Sequence, residues 1–321
     1  MKAKNCLIFG GSGQIGRHLL RKLTQNNYRV TVVTRNIHQK SYIIKTQANA
    51  GFLDIVEANI YDEEKIRSFF KSADICINLV GILFEKKRGN TFKNIHSIFP
   101  SLLASLSKEY KLKNFIHISA LGINEATDSK YAISKLEGEK NILKNFSLAT
   151  ILRPSIVYSV DDNFTTNFMT LLSRLPIMPL YYKGQTKFNP IHVSDLVDII
   201  IEIIESKYNK LTLECIGPEQ FTFKEIILNL LDSIGKKRLL IPLPNQIAAF
   251  SAKLLQLLPK PLLTEDQFKL LKYNNVVSGI YKSNFDLGFK TNKLFKDEIN
   301  KYSYNWKIGG QFANNKISKL K

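Results

Sequence analysis

Near the start of the chain, Cys6-Leu-Ile-Phe-Gly-Gly-Ser-Gly-Gln-Ile-Gly-Arg-His passes from an apolar run through a glycine-rich turn into a helix-forming stretch. Gly10, Gly13 and Gly16 have GxxGxxG spacing, and Gly11, Gly13 and Gly16 also satisfy GxGxxG. Such a turn suits a pyrophosphate: without side chains the backbone can approach the phosphates, and the following helix supplies free N–H groups and a partial positive charge. The next apolar run, Arg29-Val-Thr-Val-Val, ends in Thr34-Arg35, where a reader of the NAD ribose 2′-hydroxyl would carry a carboxylate. A guanidinium there suits a 2′-phosphate, with Arg17 approaching from the other side, so NADPH (NADP) is expected and NAD is less favoured. Tyr131-Ala-Ile-Ser-Lys135 sets a tyrosine and a lysine on one helical face. Tyr61 and Lys65 share that spacing. Position separates the two pairs, because Tyr131 opens the helix after the fifth strand, at the sheet edge where cofactor and substrate meet. Lys135 would hold a ribose and lower the tyrosine pKa from about 10, so that Tyr131 can pass a proton.

Positioning these groups requires alternating elements. Apolar runs at Cys6–Phe9, Arg29–Thr34, Phe52–Ala58, Asp74–Val80, Asn114–Ser119 and Ala149–Leu152 are expected as strands. Amphipathic stretches at Arg17–Gln25, Glu63–Lys71, Ile98–Glu109 and Lys130–Leu143 are expected as the helices between them. Right-handed βαβ units follow, and with them an α/β fold: an extended Rossmann-type doubly wound parallel sheet. Beyond Arg153-Pro154, frequent prolines punctuate shorter elements and imply a smaller C-terminal α/β lobe. The expected division is a Rossmann domain over 1–205, part of 160–190 contributing to the small lobe, that lobe over 206–312, and a basic tail over 313–321. Thr222-Phe-Lys-Glu225 and Thr264-Glu-Asp-Gln267 read as capping boxes.

The 321 residues carry 46 basic against 27 acidic side chains, a formal charge of +19. That excess attracts anionic partners in general, but no nucleic-acid reader motif accompanies it, so no specific nucleic acid is expected. Cys6, Cys76 and Cys215 are far apart and read as buried reduced thiols. The five histidines show no metal-ligand spacing, and His117 reads as a core or near-site residue. Asp161-Asp162 reads as a solvated loop. The N-terminus enters a strand directly, without a signal-peptide pattern, and no apolar run is long enough to span a bilayer; a cytoplasmic chain is expected. Ile247–Leu258, flanked by Lys236-Lys-Arg238 and Lys260, reads either as a helix packed on the core or as one lying on an anionic membrane surface.

These motifs resemble the short-chain dehydrogenase/reductase superfamily in its extended and atypical branches. Phe115-Ile-His-Ile-Ser-Ala-Leu-Gly122, Arg153-Pro-Ser-Ile-Val-Tyr158, Asn189-Pro-Ile-His-Val-Ser-Asp195 and Leu263-Thr-Glu-Asp-Gln-Phe-Lys-Leu-Leu-Lys-Tyr-Asn-Asn-Val-Val-Ser278 are similar to bacterial relatives of the NADPH-holding accessory subunit of respiratory complex I, an NADH:ubiquinone oxidoreductase. The resemblance runs from Lys4 to about Phe312. It implies tightly bound NADPH with little or no turnover, complex I subunits as partners, and a peripheral place on the cytoplasmic side of the inner membrane. The cofactor-binding set is then Gly10, Ser12, Gly13, Gln14, Ile15, Gly16, Arg17, Arg35, Asn59, Ile60, Val80, Gly81, Tyr131, Lys135 and Pro154, and the catalytic candidates are Tyr131, Lys135 and Ser119. The triad serine or threonine of active relatives falls at Ala120, with Ser119 one position early. Ala120 favours a binding module; Tyr131 and Lys135 favour an NAD(P)H-dependent reductase or epimerase-like enzyme acting on a small or quinone-related substrate.

Overall fold

The computed structural model describes residues 4–86, 89–206, 208–256 and 263–311. The expected basic tail and the positions Leu257, Leu258 and Lys260 lie outside the described residues. The chain opens with β1 (Asn5–Phe9), α1 (Gln14–Gln25), β2 (Arg29–Thr34), α2 (Ile37–Lys45), β3 (Leu53–Glu57), α3 (Glu63–Phe70) and β4 (Ile75–Asn78). A six-residue π-helix, Lys93–Ile98, leads into α4 (Phe99–Glu109), followed by β5 (Asn114–Ile118), α5 (Lys130–Asn145) and β6 (Thr150–Pro154). Next come β7 (Val157–Tyr158), α6 (Thr165–Arg174), β8 (Ile177–Leu180), β9 (Lys187–Phe188), β10 (Ile191–His192), α7 (Val193–Glu205), β11 (Leu211–Cys215) and β12 (Phe221–Thr222). The described chain closes with α8 (Phe223–Ser233), β13 (Leu239–Pro242), α9 (Asn245–Leu255), α10 (Glu265–Leu270), β14 (Lys282–Ser283) and α11 (Phe295–Asn300).

Eight strands form one sheet in the order β14-β11-β6-β5-β4-β1-β2-β3, and every neighbouring pair is parallel. β4 and β5 are buried along their whole length, as central strands covered on both faces must be. On one face Leu7, Phe9, Cys76, Phe115 and Ile151 pack against Phe99 and Leu103 of α4 and Ile142 of α5. Chain order reverses between β1 and β4, so a crevice opens at their carboxyl ends.

Two compact units result, and they are not consecutive in sequence. The first comprises Met1–Pro154, Leu196–Cys215 and Val277–Lys290; the second comprises Ser155–Asp195, Ile216–Val276 and the chain from Thr291. A division at 205/206 is therefore corrected, since β11 and β14 extend the main sheet beside β6; residues 155–195, of which part of 160–190 is expected in the small lobe, belong to the second unit. Composition misses this because β14 is two residues long and has no periodicity to read.

The second unit has its own core, in which Tyr158, Met169, Phe223, Ile227, Leu230, Phe295 and Ile299 are buried together. Both capping boxes form, at the starts of α8 and α10. Asp162 corrects the solvated-loop expectation. It is buried, 3% exposed, and its carboxylate accepts from the N–H groups of Ser159 (2.9 Å), Phe164 (2.6 Å) and Thr165 (2.6 Å), fixing the start of α6. In α9, Ala248 and Ala252 pack with Tyr181 and Phe268, while Ile247 and Phe250 are exposed. The helix thus has a packed face and an apolar outer face. Among the described residues no helix is long and apolar enough to cross a membrane. All three cysteines are free and buried, and burial pushes each thiol pKa up.

Candidate functional site

The glycine loop sits where β1 hands over to α1. Gly10 has φ +86°, a left-handed conformation that disfavours any side chain, and its carbonyl accepts from Gly13 N–H at 3.0 Å. A Cβ on Gly16 would stand 2.6 Å from the Gly10 carbonyl oxygen, so only glycine lets α1 pack this closely under the loop. Gly13 caps α1 without a side-chain bond, and no acidic residue lies in the first turn. The helix's own first turn thus brings no acid to its positive end, which suits a pyrophosphate. Ser12 is half-buried in the loop, and Gln14 and Ile15 open the helix. The loop lies beside the segment after β4: Leu79 N–H donates to Phe9 O at 2.9 Å, and a Cβ on Gly10 would meet Leu79 C at 3.0 Å.

Arg35 follows β2 and is exposed. Its guanidinium donates to Asn90 Oδ1 at 3.2 Å, a contact from the loop after β4. The nearest strand-end acid, Glu57 of β3, accepts from Ile37 N–H at 3.2 Å. Asn59 and Ile60 follow β3; Asn59 Oδ1 accepts from Tyr61 N–H at 3.2 Å, and Ile60 is half-buried. Of the competing pair, Tyr61 is exposed, and its hydroxyl donates to Gly89 O at 2.5 Å.

At the other end, Tyr131 and Lys135 occupy the first turns of α5, which starts from a Ser129 side-chain cap accepting from Ala132 N–H. Tyr131 is half-buried. Its ring meets the His96 ring edge-on at 5.2 Å and Phe92 at 5.9 Å. Lys135 is 3% exposed, and its ammonium donates to Ile118 O at 3.0 Å. Burial lowers its pKa to about 8, although the Glu139 carboxylate pulls the other way. A Cβ on Gly81 would lie 3.6 Å from Lys135 Nζ, so the segment after β4 reaches the lysine. Val80 N–H donates to Asn78 Oδ1 at 3.1 Å. Pro154 ends β6, its carbonyl accepting from Leu121 N–H at 2.9 Å. Ser119 is 5% exposed, and its backbone N–H donates to Leu152 O at 2.7 Å.

Several groups around the lysine escape sequence inspection. His96, on the π-helix, is fully buried. Its Nε2 accepts from Ile82 N–H at 3.1 Å, so the proton sits on Nδ1, 2.9 Å from Ser134 Oγ; that hydroxyl in turn donates to Tyr131 O at 2.7 Å. Burial and the Lys135 charge push His96 down to about 2. Glu139 and Arg153 form a buried bidentate pair, with Nε–Oε1 at 2.9 Å and Nη2–Oε2 at 2.5 Å. The guanidinium also lies 4.3 Å over the Tyr281 ring. None of these groups lies in a local pattern, and Phe92 and His96 precede the helix expected from Ile98.

The residues present fit a nicotinamide dinucleotide: a side-chain-free cradle at a helix N-terminus, a basic group after β2, and a tyrosine–lysine pair at the far end of the same sheet edge.

Comparison with known proteins agrees with this geometry. The model of the NAD dependent epimerase/dehydratase family matches residues 6–214. The mitochondrial NADH dehydrogenase [ubiquinone] 1 alpha subcomplex subunit 9 of Arabidopsis thaliana is 25% identical over 302 residues, covering 92% of this chain and 75% of the relative. A ceramide reductase of Caulobacter vibrioides is 25% identical over 241 residues, covering 74% and 73%. Among solved structures, dTDP-glucose 4,6-dehydratase of Bacillus anthracis in complex with NAD superimposes with a TM-score of 0.69 at 14% identity, covering 95% of this chain and 96% of that one. That likeness shows the fold. With the family model spanning both the glycine loop and the tyrosine–lysine helix, the chain belongs to the NAD dependent epimerase/dehydratase family.

Proposed function

We propose that this chain holds NADP(H) tightly, with little or no turnover of its own, as a peripheral module of a membrane-bound NADH:ubiquinone oxidoreductase. What carries the reading is the likeness to the Arabidopsis subunit over nearly the whole chain, joined to a strand end that offers Arg35 where an NAD reader would offer a carboxylate. Gly10, Gly13, Gly16 and the first turn of α1 hold the pyrophosphate, with Ser12, Gln14 and Ile15 beside it. Arg35 and Arg17 take the 2′-phosphate, Asn59 and Ile60 lie along the adenosine, and Val80, Gly81, Pro154, Tyr131 and Lys135 bound the nicotinamide end. When bound, the cofactor supplies a transferable hydride. Tyr131 offers a hydroxyl proton and Lys135 a cation beneath it, but Ala120 supplies no hydroxyl to orient a reacting carbonyl. The exposed Ile247 and Phe250 of α9, with Lys253 and the nearby Lys236-Lys237-Arg238, suit contact with an anionic membrane on its cytoplasmic side.

Purifying the chain without added nucleotide, denaturing it and identifying what is released tests this reading. Near-stoichiometric NADPH is expected, together with co-purification of the oxidoreductase from membranes. NAD in its place overturns the 2′-phosphate assignment, and an empty chain that leaves the oxidoreductase behind overturns the module. The likeness to a ceramide reductase favours a second reading, an NADPH-dependent reductase using Tyr131. Turnover abolished by Tyr131→Phe would establish it.

A further inference from the structure

Below Tyr131 and Lys135 lies a buried polar layer whose donors and acceptors can be accounted for one by one. Residues alternate along a strand, so Phe115 and His117 share a face of β5, and Ser119, one residue past the strand's end, continues that alternation. Phe115 packs there with Leu103 of α4 and Ile142 of α5, and His117 and Ser119 are therefore aimed at the same helices. His117 is 0% exposed and Ser119 5%.

The tautomer of His117 follows from its neighbour. Asn78 Oδ1 is occupied by Val80 N–H, so its amide nitrogen is the group 3.1 Å from His117 Nδ1. Nδ1 accepts, and the proton sits on Nε2. That N–H and the Ser119 hydroxyl have no protein partner among the described residues. Lys135 Nζ spends one hydrogen on Ile118 O, the carbonyl between these two residues. Glu139 accepts from Arg153, and His96 Nε2 from Ile82 N–H. Two orphaned polar groups, both more than nine-tenths buried, thus belong to the residues flanking the carbonyl that Lys135 bonds, and leaving them so is costly.

One oxygen ligand can bond all three groups, accepting from His117 Nε2–H and Lys135 Nζ and donating to Ser119 Oγ, the three bonds usual for an internal water. We infer that His117 and Ser119 hold an internal water against the Lys135 ammonium, and that His117 is thereby a positioning residue for the charge of that lysine. The inference rests on the proposed function only for the use made of the lysine. The groups facing Lys135 are Tyr131 and Glu139 on its own helix, His96 from the π-helix, His117 from β5, and Arg153 from β6 behind Glu139. His117 cannot take the proton itself, because burial and the Lys135 charge hold its pKa well below 6.5.

The test follows the ¹³Cε resonance of Lys135, assigned by its loss in Lys135→Met, through a pH titration of the full chain purified without nucleotide. The wild-type midpoint is expected near 8. His117→Phe and Ser119→Ala should each lower it by about half a unit or more, since the ammonium loses its hydration. His117→Gln, which keeps a donor near the Nε2 position, should restore it, as a purely structural role would not. Ser119→Ala keeps the test decisive if His117→Phe fails to fold. Wild-type midpoints in the folded variants, or a high-resolution crystal structure with no density within hydrogen-bond reach of the three groups, would overturn the inference. NADPH titration of the same samples separates the two claims: a lysine that responds in a chain that binds no dinucleotide refutes the cofactor reading and leaves the water standing.

Discussion

Replacing Glu139 by glutamine keeps the side-chain volume and removes one charge from a pair whose members are 6% and 4% exposed. Arg153 would then keep its charge among buried groups, with two carboxylate contacts, at 2.9 and 2.5 Å, exchanged for an amide. Breaking a buried pair by removing one partner costs about 3–5 kcal/mol, because the surviving charge is uncompensated. The contrast is Arg67, half-exposed beside Glu63 and Glu109, where water screens the charges and loss of the pairs should cost little. Urea denaturation at neutral pH is expected to show Glu139→Gln destabilised by that larger amount, with the melting temperature lowered by roughly 6–12 °C. Glu139→Leu combined with Arg153→Met should recover most of the loss, since it removes both desolvated charges. A Glu139→Gln cost no larger than that of Arg67→Ala would refute the reasoning and show that water reaches the pair.

Acid should destabilise the chain before its carboxylates titrate. His96 and His117 stay neutral when folded, with pKa values lowered to about 2 and well below 6.5 respectively, while the unfolded chain takes up protons near 6.5. Stability is therefore lost as pH falls through 6.5, by about 2 kcal/mol over the next unit for the two together, and His117→Gln should halve the slope of that limb in denaturation series. Lys135 acts in the same sense at higher pH: its folded pKa is depressed from 10.5 to about 8, so stability rises with pH between those values and the buried ammonium is a net cost at neutral pH. Lys135→Met is accordingly expected to stabilise the cofactor-free chain by about 1–3 kcal/mol at pH 7, read by the same denaturation. Arg35→Ala should weaken NADPH binding by about 10–100-fold and NADH binding far less, measured by fluorescence titration, as loss of a charged phosphate contact requires.

Spacing made the glycine loop and the parallel strands legible, because Gly10 to Gly16 and the mostly apolar runs of β4 and β5 each admit few backbone solutions. Helix α2 was not legible: Ile44 is its one buried residue, which leaves almost no periodic stripe to detect. The π-helix before α4 differs from an α-helix only in hydrogen-bond register, which side-chain types do not encode. Within the candidate site, Tyr131 and Lys135 announced themselves by position along the fold. Glu139 and Arg153 did not, since a helix–strand ion pair joins residues 14 apart with no local pattern. Asn78 was hidden in an apolar strand, and its meaning emerges only from the register that sets it opposite His117.

The return of Val277–Lys290 to the first unit bears on how the chain acquires its structure during synthesis. Ser278 donates from its N–H and hydroxyl to Glu214, at 2.8 and 2.7 Å, Tyr281 lies against Arg153, and β14 pairs with β11. A ribosome must therefore release almost nine-tenths of the chain before the sheet gains its last strand and the buried guanidinium its aromatic cover. Until then the β11 edge is open to pairing with other nascent chains. Neither unit can be excised as one continuous stretch, and a stop codon just before Val277 would remove β14 and Tyr281 together, stripping the last strand from the very sheet that carries the glycine loop.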